Sequence, residues 1–160
     1  MKPLKVLGLA VFWLGWPVFY FYFKNNRRTR ILVLCGDKLL LVKPWINNNR
    51  WLLPGGGIKV GESERDSVLR ELAEETGLVL DGKAIKQLGE GSYRQYGINR
   101  QFVAFFAKVR QESAVAGRLS EIAEVAWISR RLLTELNTGP DVIICLKLYK
   151  ELRPRPGQSS

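Results

Sequence analysis

Three consecutive glycines followed, five residues later, by a capped and strongly acidic helical segment constrain this chain more than any other feature. Pro54-Gly55-Gly56-Gly57 ends a short apolar stretch, Trp51-Leu52-Leu53, because proline and successive glycines do not sustain a strand. Ser63, with Asp66 three residues on, resembles a capping box, and Gly77 is a C-terminal stop, so the spacing predicts a helix over 63–76. At about 100° per residue, Val68, Leu69, Leu72, Ala73 and Thr76 share one arc to bury, while Glu71, Glu74 and Glu75 gather on another. Carboxylates at i, i+3 and i, i+4 repel one another and oppose the helix unless a cation sits among them. A solvated acidic face is the ordinary alternative, and the helix taken alone does not exclude it.

The charge distribution favours a cation. The 160 residues carry 25 Lys/Arg and 15 Asp/Glu, a net +10, yet residues 56–78 are net −3 while 1–55 hold +8 and 79–160 hold +5. An acidic island in a basic chain suits a hard cation that bridges to an anionic substrate. There is no histidine, which excludes a Ser-His-Asp or Cys-His relay, a His-ligated zinc and a histidine pH switch. Metal or acid–base chemistry therefore falls to carboxylates. Cys35 and Cys145 are too far apart for a CxxC pair or a metal knuckle, and are expected as free thiols in a reducing compartment.

Val6 to Phe23 is an unbroken run of 18 uncharged, mostly apolar residues. A helix of that length covers about 27 Å, near the thickness of a hydrocarbon core. Trp13, Trp16, Tyr20 and Tyr22 suit a membrane interface, and Pro17 is tolerated in a membrane helix. No small-x-small cleavage site follows. We therefore expect residues 1–27 to be a retained transmembrane anchor with a basic flank, reaching the membrane through residues 6–23. Lys24, Arg27, Arg28 and Arg30 outnumber Lys2 and Lys5, which predicts a single-pass protein with its C-terminal part in the cytoplasm.

Residues 28–152 read as one α/β domain. Arg30–Cys35 and Lys38–Lys43 are strands joined by a Gly36-Asp37 hairpin, and Trp51–Leu53, Ala84–Leu88, Gln101–Val109 and Val125–Ile128 are further strands. Arg130–Leu136 and Val142–Leu152 are expected helices, the second introduced by Pro140-Asp141. Residues 153–160 are rich in Pro, Gly and Ser and are expected to be a disordered tail.

The spacing within the acidic island is more specific. Gly56 is followed after five residues by Glu62, and after seven more by Arg70-Glu71, then Leu72, Ala73, Glu74-Glu75, Thr76, Gly77 and Leu78. The 23 residues GGIKVGESERDSVLRELAEETGL closely resemble the Nudix hydrolase signature, with each fixed position filled. The resemblance implies an α/β/α sandwich around a mixed β-sheet, with the signature as a loop–helix–loop. It implies hydrolysis of a diphosphate linkage in a nucleoside diphosphate derivative, with Mg²⁺, or else Mn²⁺, as cofactor. By that similarity Glu71, Glu74, Glu75 and the Gly55 carbonyl would hold metal. Arg70 would orient Glu71, and Gly56, Glu62 and Gly77 would shape the loop. One glutamate would take the proton of the attacking water. It would come from the signature or from further along the chain, where Glu121 is preferred to Glu124.

Substrate contacts are less sharply marked. Arg50 and Lys43 precede the glycines and are candidates for phosphate, although solvation at the surface explains each equally well. Tyr93 and Tyr96 lie 15 and 18 residues past Leu78, where some dinucleoside polyphosphate hydrolases of the family place a tyrosine. Both also suit a sheet. A 5′-end RNA pyrophosphohydrolase and a non-catalytic nucleotide sensor are the competing functions. Because the basic excess is concentrated beside the apolar run, a membrane surface is the expected partner rather than nucleic acid. Oligomeric state is left open.

Overall fold

Two apolar runs with no polar alternation form the middle of the sheet. The computed structural model describes residues 27–46, 48–95, 97–113, 115 and 121–152. In it the runs are β1 (Arg28–Cys35) and β2 (Lys38–Pro44), an antiparallel hairpin turning at Gly36, whose φ is +57°. Successive strand side chains point to opposite faces, so a strand covered on both sides can be apolar throughout. Ile31 and Val33 pack with Val68 and Leu72 of α1 (Glu64–Thr76). Leu32 and Leu34 pack instead with Val142, Cys145 and Tyr149 of α2 (Pro140–Glu151). Each fully buried Leu, Ile or Val contributes about 1.5–3 kcal/mol.

β3 (Ile85–Gln95), β4 (Ile98–Val109) and β5 (Ile122–Ser129) complete a five-stranded sheet in the order β3-β4-β1-β2-β5. β1 is parallel to β4 and the other pairings are antiparallel, so the sheet is mixed, with a helix on each face.

The inner hairpin is not zipped along its length. β1 and β2 are in register only at Leu34↔Leu39 and Cys35↔Lys38. Beyond that they part, and residues 51–57 fill the gap. Thr29 N and Ile31 N donate to the Gly56 and Pro54 carbonyls, each at 2.9 Å, while Val42 and Leu52 exchange backbone bonds at 3.0 and 2.8 Å. The stretch expected as a strand at 51–53 is therefore a wedge held from both sides, cut short by Pro54. Gly55 has φ +138°, and a Cβ there would lie 2.2 Å from the Thr29 carbonyl oxygen. Only glycine passes so close to β1.

α1 follows its sequence signals closely. The Ser63 side chain accepts from Asp66 N at 3.1 Å, and Glu64 and Asp66 place negative charge in the first turn. Gly77, at φ +73°, closes the last turn by donating to the Ala73 carbonyl. Ser67, Val68, Leu72 and Thr76 form its buried stripe. The Ser67 hydroxyl donates to the Gly57 carbonyl at 3.2 Å, which ties the helix to the glycine loop.

Other elements shift. β3 extends to Gln95, well past the expected end at Leu88, through residues that are mostly polar because it is an edge strand. The helix expected over 130–136 is a 3-10 segment, Arg130–Thr134. α2 begins two residues early, with Pro140 in its first turn. The expected anchor over 6–23 and the expected tail over 153–160 lie outside the described residues. Among the described residues no helix is long and apolar enough to cross a membrane. Three of the four cations expected to flank the anchor belong to the domain instead. Arg27 pairs with Glu64 at 3.2 Å and with Glu90, and Arg28 and Arg30 are strand residues, Arg30 only 5% exposed.

Candidate active site

α1 presents its acidic face to the glycine loop, and Arg70 organises it. Arg70 Nε and Nη2 grip Glu62 at 2.7 and 3.0 Å, Nη1 reaches Glu71 at 2.8 Å and Glu74 at 3.2 Å, and Nη2 also donates to the Gly57 carbonyl at 3.1 Å. A planar guanidinium suits such a fork. Glu62 also accepts from Lys59 N at 3.0 Å. The Arg70 bonds, more than any other cause, hold the Glu62 carboxyl down to about 2, and Glu62 in turn raises Arg70 above its ordinary value. Gly56 packs against Glu71 itself, for a Cβ there would lie 2.5 Å from the Glu71 carboxyl carbon.

A second arginine holds the other side of the loop. Arg30 Nη1 donates to the Gly55 carbonyl, and Arg30 Nε pairs with Asp141 Oδ2 of α2 at 3.1 Å, both side chains being buried. Asp141 Oδ2 also accepts from Leu53 N at 3.1 Å. Burial raises the Asp141 carboxyl, against the pull of Arg30. Glu75 sits between the two arginine systems and accepts from Gly55 N at 2.8 Å. Burial pushes its carboxyl up to about 7, with Glu71 adding to the rise, while Arg30, the Gly55 bond and Arg28 oppose it.

Among the described residues no group of three or more acids or thiols is gathered closely enough to hold a metal as it stands. The reason is visible in the bonds above: Arg70 engages Glu71 and Glu74, and the Gly55 amide engages Glu75. The donor set nonetheless fits a hard divalent cation. It consists of carboxylate oxygens on one helix, opposite a glycine loop whose backbone comes close, and includes Glu75, a carboxylate whose desolvation outweighs the arginines near it.

The model of the NUDIX domain matches residues 25–146, which takes in the sheet, α1, the first half of α2 and the whole site. The chain belongs to the Nudix family. A Nudix hydrolase of Bacillus subtilis, YvcI, whose role is uncharacterised, is 43% identical over 62 residues, 38% of each chain. An RNA pyrophosphohydrolase of Ruthia magnifica is 49% identical over 49 residues, 29% of this chain and 27% of that one. The matches thus span well under half of these curated relatives. Among solved structures, the NUDIX domain of Shewanella oneidensis NrtR, complexed with ADP ribose, superposes with a TM-score of 0.70 at 22% identity, over 84% of this chain and 96% of that one.

A cleft of about 360 Å³ opens beside the Nudix glycine loop. Glu75, Gly55 and Glu121 line it, whereas Glu124 lies on β5 paired with Lys43. The cleft thus separates Glu121 from Glu124. Lys43 also stacks 5.0 Å from the Trp51 ring, and neither it nor Arg50 lines the cleft. Tyr93 does, opposite Arg100 on the neighbouring strand, while Tyr96 lies outside the described residues. Sequence reasoning missed Arg28, Arg30, Arg100 and Asp141. The first two carried a signal: they are charged residues at alternate positions of an otherwise apolar strand, and were assigned to the membrane flank instead.

Proposed function

We propose that this Nudix domain is a pyrophosphohydrolase that cleaves the diphosphate linkage of a nucleoside diphosphate derivative. The observation that carries this is the acidic face of α1, locked to the glycine loop through Arg70 and the Gly55 amide. Glu71, Glu74 and Glu75, with the Gly55 carbonyl, would hold Mg²⁺ or Mn²⁺, which supplies charge neutralisation at the diphosphate and acidification of a water. Arg70 fixes the rotamers of Glu71 and Glu74 and keeps them on the loop side of the helix. Glu121, which lines the same cleft as Glu75 and Gly55, is the chain's candidate to accept the water proton, since it has room there to face a substrate.

The test is turnover by the full chain on a panel of nucleotide substrates with Mg²⁺, beside Glu74→Gln and Glu75→Gln. Turnover is expected to collapse in both variants and on chelation; turnover indifferent to all three would overturn the reading. A 5′-triphosphorylated RNA belongs in the panel because of the RNA pyrophosphohydrolase relative.

We also propose membrane attachment through residues 6–23, with the domain in the cytoplasm. The apolar run supports the first part and the two free cysteines the second. Release of the full chain from membranes by alkaline carbonate would count against attachment.

A further inference from the structure

The cleft holds more positive charge than the chain pairs. Arg28 and Arg30 are two apart on β1 and so project from one face. Arg28 is in register with Phe102 of β4, which puts Arg100, two residues before Phe102, on that same face. It is the α2 side of the sheet, where Leu32, Phe102 and Ala104 pack, whereas Glu71, Glu74 and Glu75 belong to α1 on the other side. All three arginines line the cleft with Gly55 and Glu75.

Their partners differ. Arg30 is matched by Asp141 and the Gly55 carbonyl. Among the described residues no carboxylate forms a salt bridge with Arg28 or Arg100, and Arg100 Nε is buried with no hydrogen-bond partner. Burial, and then the charges of Arg30 and Arg100, hold Arg28 below its ordinary value, against a weaker pull from Tyr93 and Glu71, as expected where the crowding of cations outweighs the acids within reach. A buried donor such as Arg100 Nε is unfavourable until an acceptor arrives, and guanidinium groups match phosphate oxygens in both charge and shape. The acids of the cleft are not that acceptor: Glu75 is bound to the Gly55 amide, and Glu121 is exposed.

We infer that Arg28 and Arg100 form an anion subsite for a terminal phosphate, separate from the diphosphate facing α1. The substrate class is then a nucleotide that carries charge beyond the scissile linkage, a nucleoside triphosphate in preference to a nucleoside diphosphate capped by a neutral sugar. This deepens the hydrolase reading of the same site and rests on it for the word substrate, but the anion subsite can be tested without turnover.

The first measurement is calorimetric titration of the metal-free full chain with inorganic tripolyphosphate. The wild type is expected to bind it, Arg28→Gln and Arg100→Gln to bind at least about tenfold more weakly, and Arg100→Lys to fall between. Far-UV circular dichroism of each variant controls for folding, and the lysine variant keeps the packing if the glutamine variant does not fold. The second is the ratio of kcat/KM for a nucleoside triphosphate to that for a nucleoside diphosphate hexose. The wild type favours the triphosphate, and this ratio falls about tenfold in the glutamine variants, mainly through KM. Tripolyphosphate binding that is absent from the wild type or unchanged in the variants overturns the subsite, even where nucleotide hydrolysis is intact. Binding that weakens as expected in a protein with no hydrolysis leaves the subsite standing and removes the hydrolase reading instead.

Discussion

Arg30 and Arg70 donate to carbonyls two residues apart in one glycine loop, Gly55 and Gly57, yet they sit in opposite dielectric surroundings. Arg30 is closed in between β1 and the start of α2, with 6% of its side chain exposed and a partner, Asp141, at 0%. Arg70 is 21% exposed and shares its charge among Glu62, Glu71 and Glu74. A buried pair gains little over a well-packed apolar substitute, because desolvation offsets its attraction, but removing one member strands the other. A partly exposed cluster is screened in part by water and loses less when cut. The loop is thus held in place from the Arg30 side, while the Arg70 side decides where the carboxylates point.

The sharpest way to break that contrast is Asp141→Asn or Arg30→Met. Each leaves a buried charge alone and should cost about 3–5 kcal/mol in urea unfolding. The double change Arg30→Met with Asp141→Leu is expected to recover most of that loss. A single variant within about 1 kcal/mol of wild type would mean the pair is hydrated and the contrast false.

Next in size is proton linkage at the two ends of the same network. Burial raises Glu75 to about 7 from its ordinary 4.5, so the folded metal-free protein binds that proton more tightly than the unfolded chain. Its contribution to stability is complete below pH 4.5 and is lost as pH rises through about 7. Metal-free protein should therefore lose up to about 3 kcal/mol over that window, and Glu75→Gln should flatten the curve. Glu62, held down to about 2 by Arg70, slopes the other way: its contribution is present above 4.5 and is lost as pH falls through about 2. Thermal melts of wild type, Glu75→Gln and Glu62→Gln between pH 3 and 8 (roughly the range in which carboxylates titrate) separate the two slopes. A wild-type curve level across neutral pH would dispose of the Glu75 effect.

The smallest expected change in stability accompanies a clear change in function. Arg70→Ala should cost about 1–2 kcal/mol, less than breaking the buried pair because the cluster is partly screened by water. Its kcat should nonetheless fall about 10- to 100-fold, because Glu71 and Glu74 lose the group that orients them. A KM effect with kcat intact would show that Arg70 touches substrate instead of positioning ligands.

Much of this was legible in the chain because the signals are local. Ser63, Asp66 and Gly77 bound α1 through contacts no more than four residues away, and the spacing of Glu62, Arg70 and Glu71 reports a cluster made almost entirely within one loop and one helix. What stayed hidden depends on distant partners. Residues 89–95 show little apolar alternation because β3 is an edge strand whose order comes from backbone pairing with β4. Arg30 reads as a flanking cation of the apolar run until Asp141, 111 positions on in the sequence, is seen beside it. Arg28 and Arg100 meet only because β1 and β4 run parallel, a pairing that no short-range pattern announces.

The wedge at residues 51–57 bears on how this protein can vary. Both of its edges are stitched to strands, so the backbone of the glycine loop takes its position from β1 and β2 and not from the connection that delivers it. The connection, residues 45–50, is exposed over most of the positions described and makes its last turn with Asn48 and Asn49 at positive φ. Lengthening a surface loop costs little entropy, about 0.6 kcal/mol per doubling. Insertions there could reshape the rim of the cleft without disturbing the geometry of Gly55–Gly57. The rim and the reaction centre are therefore modules that can be altered separately.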